Sequence, residues 1–516
     1  MASFYEELQR KDLVDDKENS ESRVNVDKWI FRLFLILIGF TPIVVLANVE
    51  EVISPLISNM DMLASGMKGD MFTHYKLIML IILTVIIIMM FLAKIYFMGG
   101  TFRKTYLNYV FGAFILAIVL STIMSPNILI ALNGQYNRSD GAISWLCYVI
   151  LMFIATNIEY PKNVIRYILF TMMPFVYINL VIITLNFYGK DLLQQVWAQK
   201  LVSFALPEGA MISEGSEIIG TLNQWNYMSG MFAIMTVMYL IWALLSENWI
   251  ETIAGAVTAS AAIAVMFMSI STSGFLTVVV LIPVIIVAVF RKGIKIYSVV
   301  GIVLFLLISI PVFNILDEKS KYVWDESFGF FINKESTAVE NAMLFNMDNT
   351  AYASDKVLEL PVLPASSVSL GTGRLYIWEK TLDLVEDRIL FGYGMDTLMY
   401  NFPHYNIDAR AGLMTETTIV DKPHNGFLGI LYGFGIVAFI AIVIIFFTVL
   451  KMLFKSLYLK SWDIFLLAMV CLAYFIQTIF NDSLPGMSTV IFVLLGILIR
   501  IFYNQSVESV KNERIN

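Results

Sequence analysis

Two residues of this chain combine reactive side chains with positions that could use them. Arg374 follows Gly371-Thr372-Gly373 and opens a stretch of helical periodicity, which places it in a first helical turn beside the positive end of the dipole. A cation is locally unfavourable there. A bound phosphate would reverse the sign, because backbone N–H groups and the guanidinium fork would converge on one anion. Thr372 or Gly373 would cap this helix; the alternative is a solvated arginine after a flexible turn. His424, one of three histidines, follows Pro423, a residue favoured at helix starts. An imidazole with a reference pKa of about 6.5 exchanges a proton near neutrality, as a base or as a donor to phosphate. Asp421, Lys422 and Asn425 flank it, and Gly426, Gly429, Gly433 and Gly435 follow, allowing close helix packing. Arg410 and Lys422 share a polar interval with Arg374, and Arg138 lies in another. Each is a candidate phosphate contact, against the plainer role of solvating its loop.

The elements that must position these groups are membrane helices. The chain has 516 residues, 58% hydrophobic and 15% charged, whereas a soluble domain carries about a quarter charged residues. The apolar residues fall in blocks of roughly twenty, the length that crosses about 30 Å of hydrocarbon. The expected fold is an all-α polytopic membrane protein of about twelve spans. They lie near 29–48, 76–98, 107–125, 142–157, 167–186, 226–245, 251–269, 275–290, 297–315, 425–449, 463–480 and 489–503. A tail at 1–28 precedes spans one to nine (29–315); a long, partly helical loop (316–424) carries the motifs; spans ten to twelve (425–503) and a tail (504–516) follow. Arg103, Lys104, Lys162, Arg166, Arg291, Lys292, Lys295, Lys451, Lys455 and Lys460 fall on one side of this topology. Short cytoplasmic connectors retain such residues, so both termini are expected inside and the long loop outside.

Composition also narrows the function. A net charge of −7 argues against a nucleic-acid partner, and the two cysteines, Cys147 and Cys471, sit in apolar spans as buried thiols. No metal-ligand spacing, no Asp-x-Asp pair in an external loop and no Gly-x-Ser-x-Gly elbow is found, so no cofactor is expected. The spans are poor in ionisable residues, which weakens an ion-coupled transporter but leaves a carrier of neutral solutes open. In the long loop acidic residues outnumber basic ones, so an anion must be held by local cations. Leu375, Trp378, Leu382, Val385 and Ile389 are spaced as one helix face opposite Glu379, Lys380, Asp383, Glu386 and Asp387, the pattern of an amphipathic helix on the membrane surface or on neighbouring spans. Residues 317–370 read as a lid or an acceptor-recognition surface.

Gly371-Thr372-Gly373-Arg374, Trp378, Phe391-Gly392-Tyr393-Gly394 and His424-Asn425 opening a Gly-rich span together resemble the O-antigen ligase and Wzy-type polysaccharide polymerase family. Gly134 to Gly141, with Tyr136 and Arg138, resembles an upstream external motif of that family, and Asn223 to Asn226 the start of a middle span. The resemblance implies a metal-independent glycosyltransferase of the GT-C type in the bacterial plasma membrane. Its donor would be a glycan on undecaprenyl diphosphate, its acceptor a sugar, and its partners the bilayer, a chain-length regulator and a flippase. Arg374 and His424 would be catalytic; Arg138, Arg410, Lys422, Thr372, Gly373, Asn425, Tyr136, Asn223 and Trp378 would bind substrate. One departure stands out. Family members carry an arginine in a Ser-Arg pair where this chain has Ser271-Thr272-Ser273-Gly274, so that cation must come from elsewhere, from Arg138, or the carrier is held differently. The leading reading is a polymerase joining lipid-linked repeat units. A ligase delivering finished glycan to a lipid or protein acceptor, a lipid-linked glycan flippase and a non-enzymatic envelope assembly protein are the alternatives.

Overall fold

A computed structural model describes residues 2–56, 63–212, 217–222, 224–332, 363–369, 371–415 and 417–515, with side chains from 16 to 505 within these. Asn223 and most of the stretch read as a lid lie outside the described residues.

The chain is a helical bundle. The helices, in order, are α1 (Ala2–Phe40), α2 (His74–Phe97), α3 (Tyr106–Met124), α4 (Ile128–Asn133), α5 (Ala142–Ala155), α6 (Val164–Phe187), α7 (Val196–Val202), α8 (Trp225–Leu245), α9 (Trp249–Met268), α10 (Thr272–Lys292) and α11 (Ile296–Lys319). After the short α12 (Tyr322–Asp325) and α13 (Gly329–Ile332) come α14 (Arg374–Asp387), α15 (Leu398–Asn401), α16 (Ala409–Gly412), α17 (Gly426–Leu459), α18 (Trp462–Gln477) and α19 (Pro485–Ile515). Nine of the described helices are long and apolar enough to cross a membrane. The stretches read as spans one, four and eleven fall on the apolar end of α1 and on the shorter apolar helices α5 and α18. The first span ends earlier than its hydropathy implies: α1 stops at Phe40, two residues before Pro42, which cannot continue the ladder.

At the centre stands α8, every residue of which from Tyr227 to Leu245 is buried, packed by α9, α10, α11 and α18. Lipid tails are as apolar as Leu, so close packing rather than water exclusion holds such helices together. The end of the bundle carrying the candidate residues also holds an antiparallel hairpin, β1 (Asn48–Val52) and β2 (Gly66–Asp70), with Asn48 opposite Asp70.

Two features fix the long loop to the bundle. α17 is broken at Gly435, whose φ of 77° is left-handed. The break is stitched from outside: Tyr393 and Gly394 N–H groups donate to the carbonyls of Tyr432 and Gly433 at 2.9 Å, and Ile436 N–H donates to Ile389 O at 2.8 Å. Tyr393 stacks on Tyr432 with centroids 5.2 Å apart. Irregular backbone among membrane helices is tolerated where protein satisfies it, which this segment does. The second feature is α14, whose face towards the protein is not the row that spacing singles out. Tyr376, Ile377, Thr381 and Val385 form its buried face, against Leu398, Phe402, Ala409, Val420 and Tyr432, whereas Leu375 and Leu382 are exposed. The helix also stops at Asp387, leaving the exposed Ile389 beyond it. The apolar row singled out by spacing is mainly the outward one, because α14 is amphipathic towards the loop core and also carries an outer apolar edge.

Candidate active site

The 134–141 loop, residues 421–425 before α17, the 481–484 connector before α19, Asp396 and the start of α14 converge at one end of the bundle. The 134–141 loop is a tight excursion: a Cβ on Gly134 (φ 85°) would strike the backbone of Asp140, and one on Gly141 that of Gly134. It delivers Arg138 into the protein, where Nε lies 2.9 Å from Asp396 Oδ1 and Nη1 2.5 Å from Asp421 Oδ2. Burial opposes the guanidinium charge, but Asp396 and Asp421 more than offset it and raise its pKa. Asp396 is itself fixed, accepting the Gln135 N–H at 2.6 Å.

Lys422 is buried a short way off. Its Nζ is 3.4 Å from Asp140 Oδ2, 3.9 Å from Asp396 Oδ1 and 3.3 Å from the Ser483 carbonyl. The Ser483 hydroxyl donates to Asp140 Oδ2 at 2.5 Å. Burial pushes the Asp140 carboxyl up to about 7, against the pull of Lys422 and with Asp396 adding to the rise. Breaking one member of such a buried network leaves the other charge stranded.

His424 differs in being reachable, with 36% of its side chain exposed. Its backbone φ is 51°, an unusual left-handed setting for a non-glycine residue. Nδ1 lies 3.2 Å from Asp482 Oδ2, and Nε2 3.8 Å from Asp421 Oδ1. Burial favours the neutral ring, yet the Asp482 hydrogen bond and the charges of Asp482 and Asp421 prevail and raise its pKa, with Arg374 opposing. Asp482 responds reciprocally: burial pushes its carboxyl up, but His424, Lys422 and Arg138 hold it below the usual range.

Arg374 completes the group. It is half-buried, its guanidinium makes no hydrogen bond or ion pair among the described residues, and it stands within electrostatic reach of His424 and Asp482. Burial lowers its pKa and Asp482 partly restores it. Gly373 (φ 89°) is the helix N-cap, while Thr372 is exposed and donates its hydroxyl to Gly371 O. The helix-end amides are mostly engaged, since Arg374 N–H reaches Gly371 O and Tyr376 N–H reaches Ser369 Oγ. Side chain more than backbone therefore presents the positive charge.

Several sequence candidates take supporting positions. Trp378 Nε1 donates to Pro423 O at 2.8 Å, tying α14 to the residue before His424. Asn425 caps α17 by accepting the Leu428 N–H. Arg410 reaches Pro364 O and Ser366 Oγ and braces the loop away from the cluster. Tyr136 lines a separate cavity. Where the family resemblance implied a cation, Ser271 donates to Asn226, and Gln477 donates to Ser273 O and accepts from Asn481, the residue before Asp482. Asp482 and Asp396 were not singled out from sequence. The one available signal was the polar Asn481-Asp482-Ser483 connector ahead of Pro485.

These observations define a polytopic membrane protein with an ionised, partly open site at one end of its bundle. Residues 254–443 match the family model described as O-antigen ligase, a segment that spans α10, Arg374 and His424. Over that segment the chain is similar to the O-antigen ligase family, which supports the resemblance read from the sequence. No curated protein matches the chain.

Proposed function

We propose that this protein passes a glycan from undecaprenyl diphosphate to an acceptor sugar at the outer face of a bacterial plasma membrane. The observation that carries the reading is Arg374, a half-buried cation whose side chain has no direct partner among the described residues, beside a histidine already oriented by a carboxylate. In the proposed reaction His424 Nε2 takes the acceptor hydroxyl proton while Nδ1–H donates to Asp482. The acceptor oxygen attacks the anomeric carbon and the bond to the carrier breaks, its electron pair remaining on the diphosphate oxygen. Arg374 offsets the charge that develops there. The carboxylates nearest the reaction already face Arg138, Lys422 and His424, which supports chemistry without a metal. Lys and Arg gather in the connectors at the opposite end of the bundle, which supports an outward-facing site.

Within this chemistry the polymerase reading takes a second lipid-linked repeat unit as acceptor. The ligase reading, with a lipid or protein acceptor, is favoured by the description of the matching family model. Purified protein given one defined lipid-linked repeat unit tests both. Carrier diphosphate release with longer glycan is the polymerase result; release only after a different acceptor is added is the ligase result. No release with any acceptor overturns the proposal.

A further inference from the structure

The 134–141 loop serves two places at once. Arg138 and Asp140 go to the ionised cluster, whereas Tyr136 and Asn137 line a cavity of about 280 Å³. Its other walls include Asn48 and Asp70 of the hairpin, Phe72 and Met211. The cavity and the cluster are mechanically joined, because the Thr73 hydroxyl lies 3.2 Å from that of Ser139, next to Arg138.

The lining is chemically unlike the cluster. Asp70 is its single charged side chain among the described residues, and both oxygens are spent. Oδ1 accepts the Phe72 N–H at 3.0 Å; Oδ2 accepts the Thr73 N–H, the Thr73 hydroxyl and the His74 N–H at 2.8, 3.0 and 2.7 Å. No Lys or Arg lines the cavity among the described residues. Asn48 and Asn137, by contrast, make no side-chain hydrogen bond among the described residues, and each amide offers both donors and an acceptor. Phe72 and Tyr136 add aromatic surface to the same walls. Neutral amides beside aromatic rings suit a polyhydroxylated ring, whose hydroxyls need donors and acceptors and whose C–H faces need apolar contact.

We infer that this cavity is a glycan subsite, taking a neutral sugar residue of the substrate while the diphosphate end lies against Arg374 and His424. The assignment rests on the glycosyl-transfer reading above. A sugar held there is remote from the bond being made, so its contacts are the same in ground and transition states and act on KM.

The test uses full-length protein in nanodiscs and, as probe, the repeat-unit oligosaccharide freed from its carrier by mild acid. Titration calorimetry should show binding to the wild type and at least tenfold weaker binding to the Asn48→Ala/Asn137→Ala double variant. With lipid-linked donor, that variant should raise KM about tenfold and leave kcat within about twofold, the pattern of lost uniform binding. Matched thermal unfolding establishes its folding, and Asn137→Gln alone, which keeps the amide, should recover part of the affinity. Equal affinity of wild type and double variant, or no binding by the wild type, overturns the subsite. Amide-dependent binding by a protein that releases no carrier diphosphate would uphold the subsite and sink the transfer reading; turnover with amide-independent binding would do the reverse.

Discussion

The two halves of the ionised cluster use the same residue types for opposite ends. In the inner half Arg138 and Lys422 are buried and committed to Asp396, Asp421 and Asp140. In the outer half His424 is a third exposed, and Arg374 has no direct partner among the described residues. A buried cation between carboxylates gives up reactivity and fixes three connectors in place. A cation left short of partners keeps its charge for a ligand. On the proposed reading, proximity alone does not divide reacting from supporting residues, whereas exposure of His424 and the spare charge of Arg374 do.

Substitutions can break that contrast, and the largest effect belongs to the outer half. Removing the proposed base by His424→Ala should lower kcat for carrier diphosphate release by about 10²- to 10⁴-fold, the span typical of general bases. Circular dichroism should stay near wild type, while stranding buried Asp482 lowers the melting temperature. Arg374→Ala should cost about 10²-fold or more in kcat, as loss of a transition-state donor does. Arg374→Lys should recover part of it, since an ammonium keeps the charge without the fork.

The inner half should fail differently. Arg138→Ala strands Asp396 and Asp421 and should destabilise the fold by about 3–5 kcal/mol, read as a lower melting temperature in detergent. If it abolished turnover at an unchanged melting temperature, the division between the halves would be wrong.

A smaller effect concerns pH. Because His424 is held protonated above its ordinary range, its base form appears only as pH rises past that raised pKa. The acid limb of kcat/KM should therefore fall above about 6.5. Asp482→Asn removes the stabilising charge, so the limb should move to lower pH. A limb that stays in place would detach Asp482 from His424. Smallest of all is Arg410→Ala, which braces the loop away from the cluster and should change turnover by no more than about twofold, within the usual surface range.

Sequence reading recovered the bundle better than the site. Helices at the predicted spans follow from twenty-residue apolar blocks, a local property. The candidate residues Arg374 and His424 were also locally marked, by Gly-Thr-Gly and by Pro423 at a helix start. Asp482 and Asp396 were not, because an acidic residue in a short connector looks solvated until another segment arrives beside it. Those pairings join residues such as Arg138 and Asp421 across most of the chain. The protein-facing side of α14 was hidden for a related reason: its Tyr376 and Ile377 find their partners in a later loop, while the more regular Leu row points outwards.

The break in α17 carries a consequence for biogenesis. The carbonyls of Tyr432 and Gly433 accept amides supplied by Tyr393 and Gly394, which are synthesised earlier and belong to the loop, and that of Gly433 also accepts the Ser121 hydroxyl. A helix entering lipid with those carbonyls open would carry an energetic debt of several kcal/mol per group. The loop must therefore reach its own side of the membrane before α17 can settle. Shortening residues 389–394 would then appear as a defect in membrane insertion, with α17 exposed to quality-control proteases, well before any assay of catalysis could detect it.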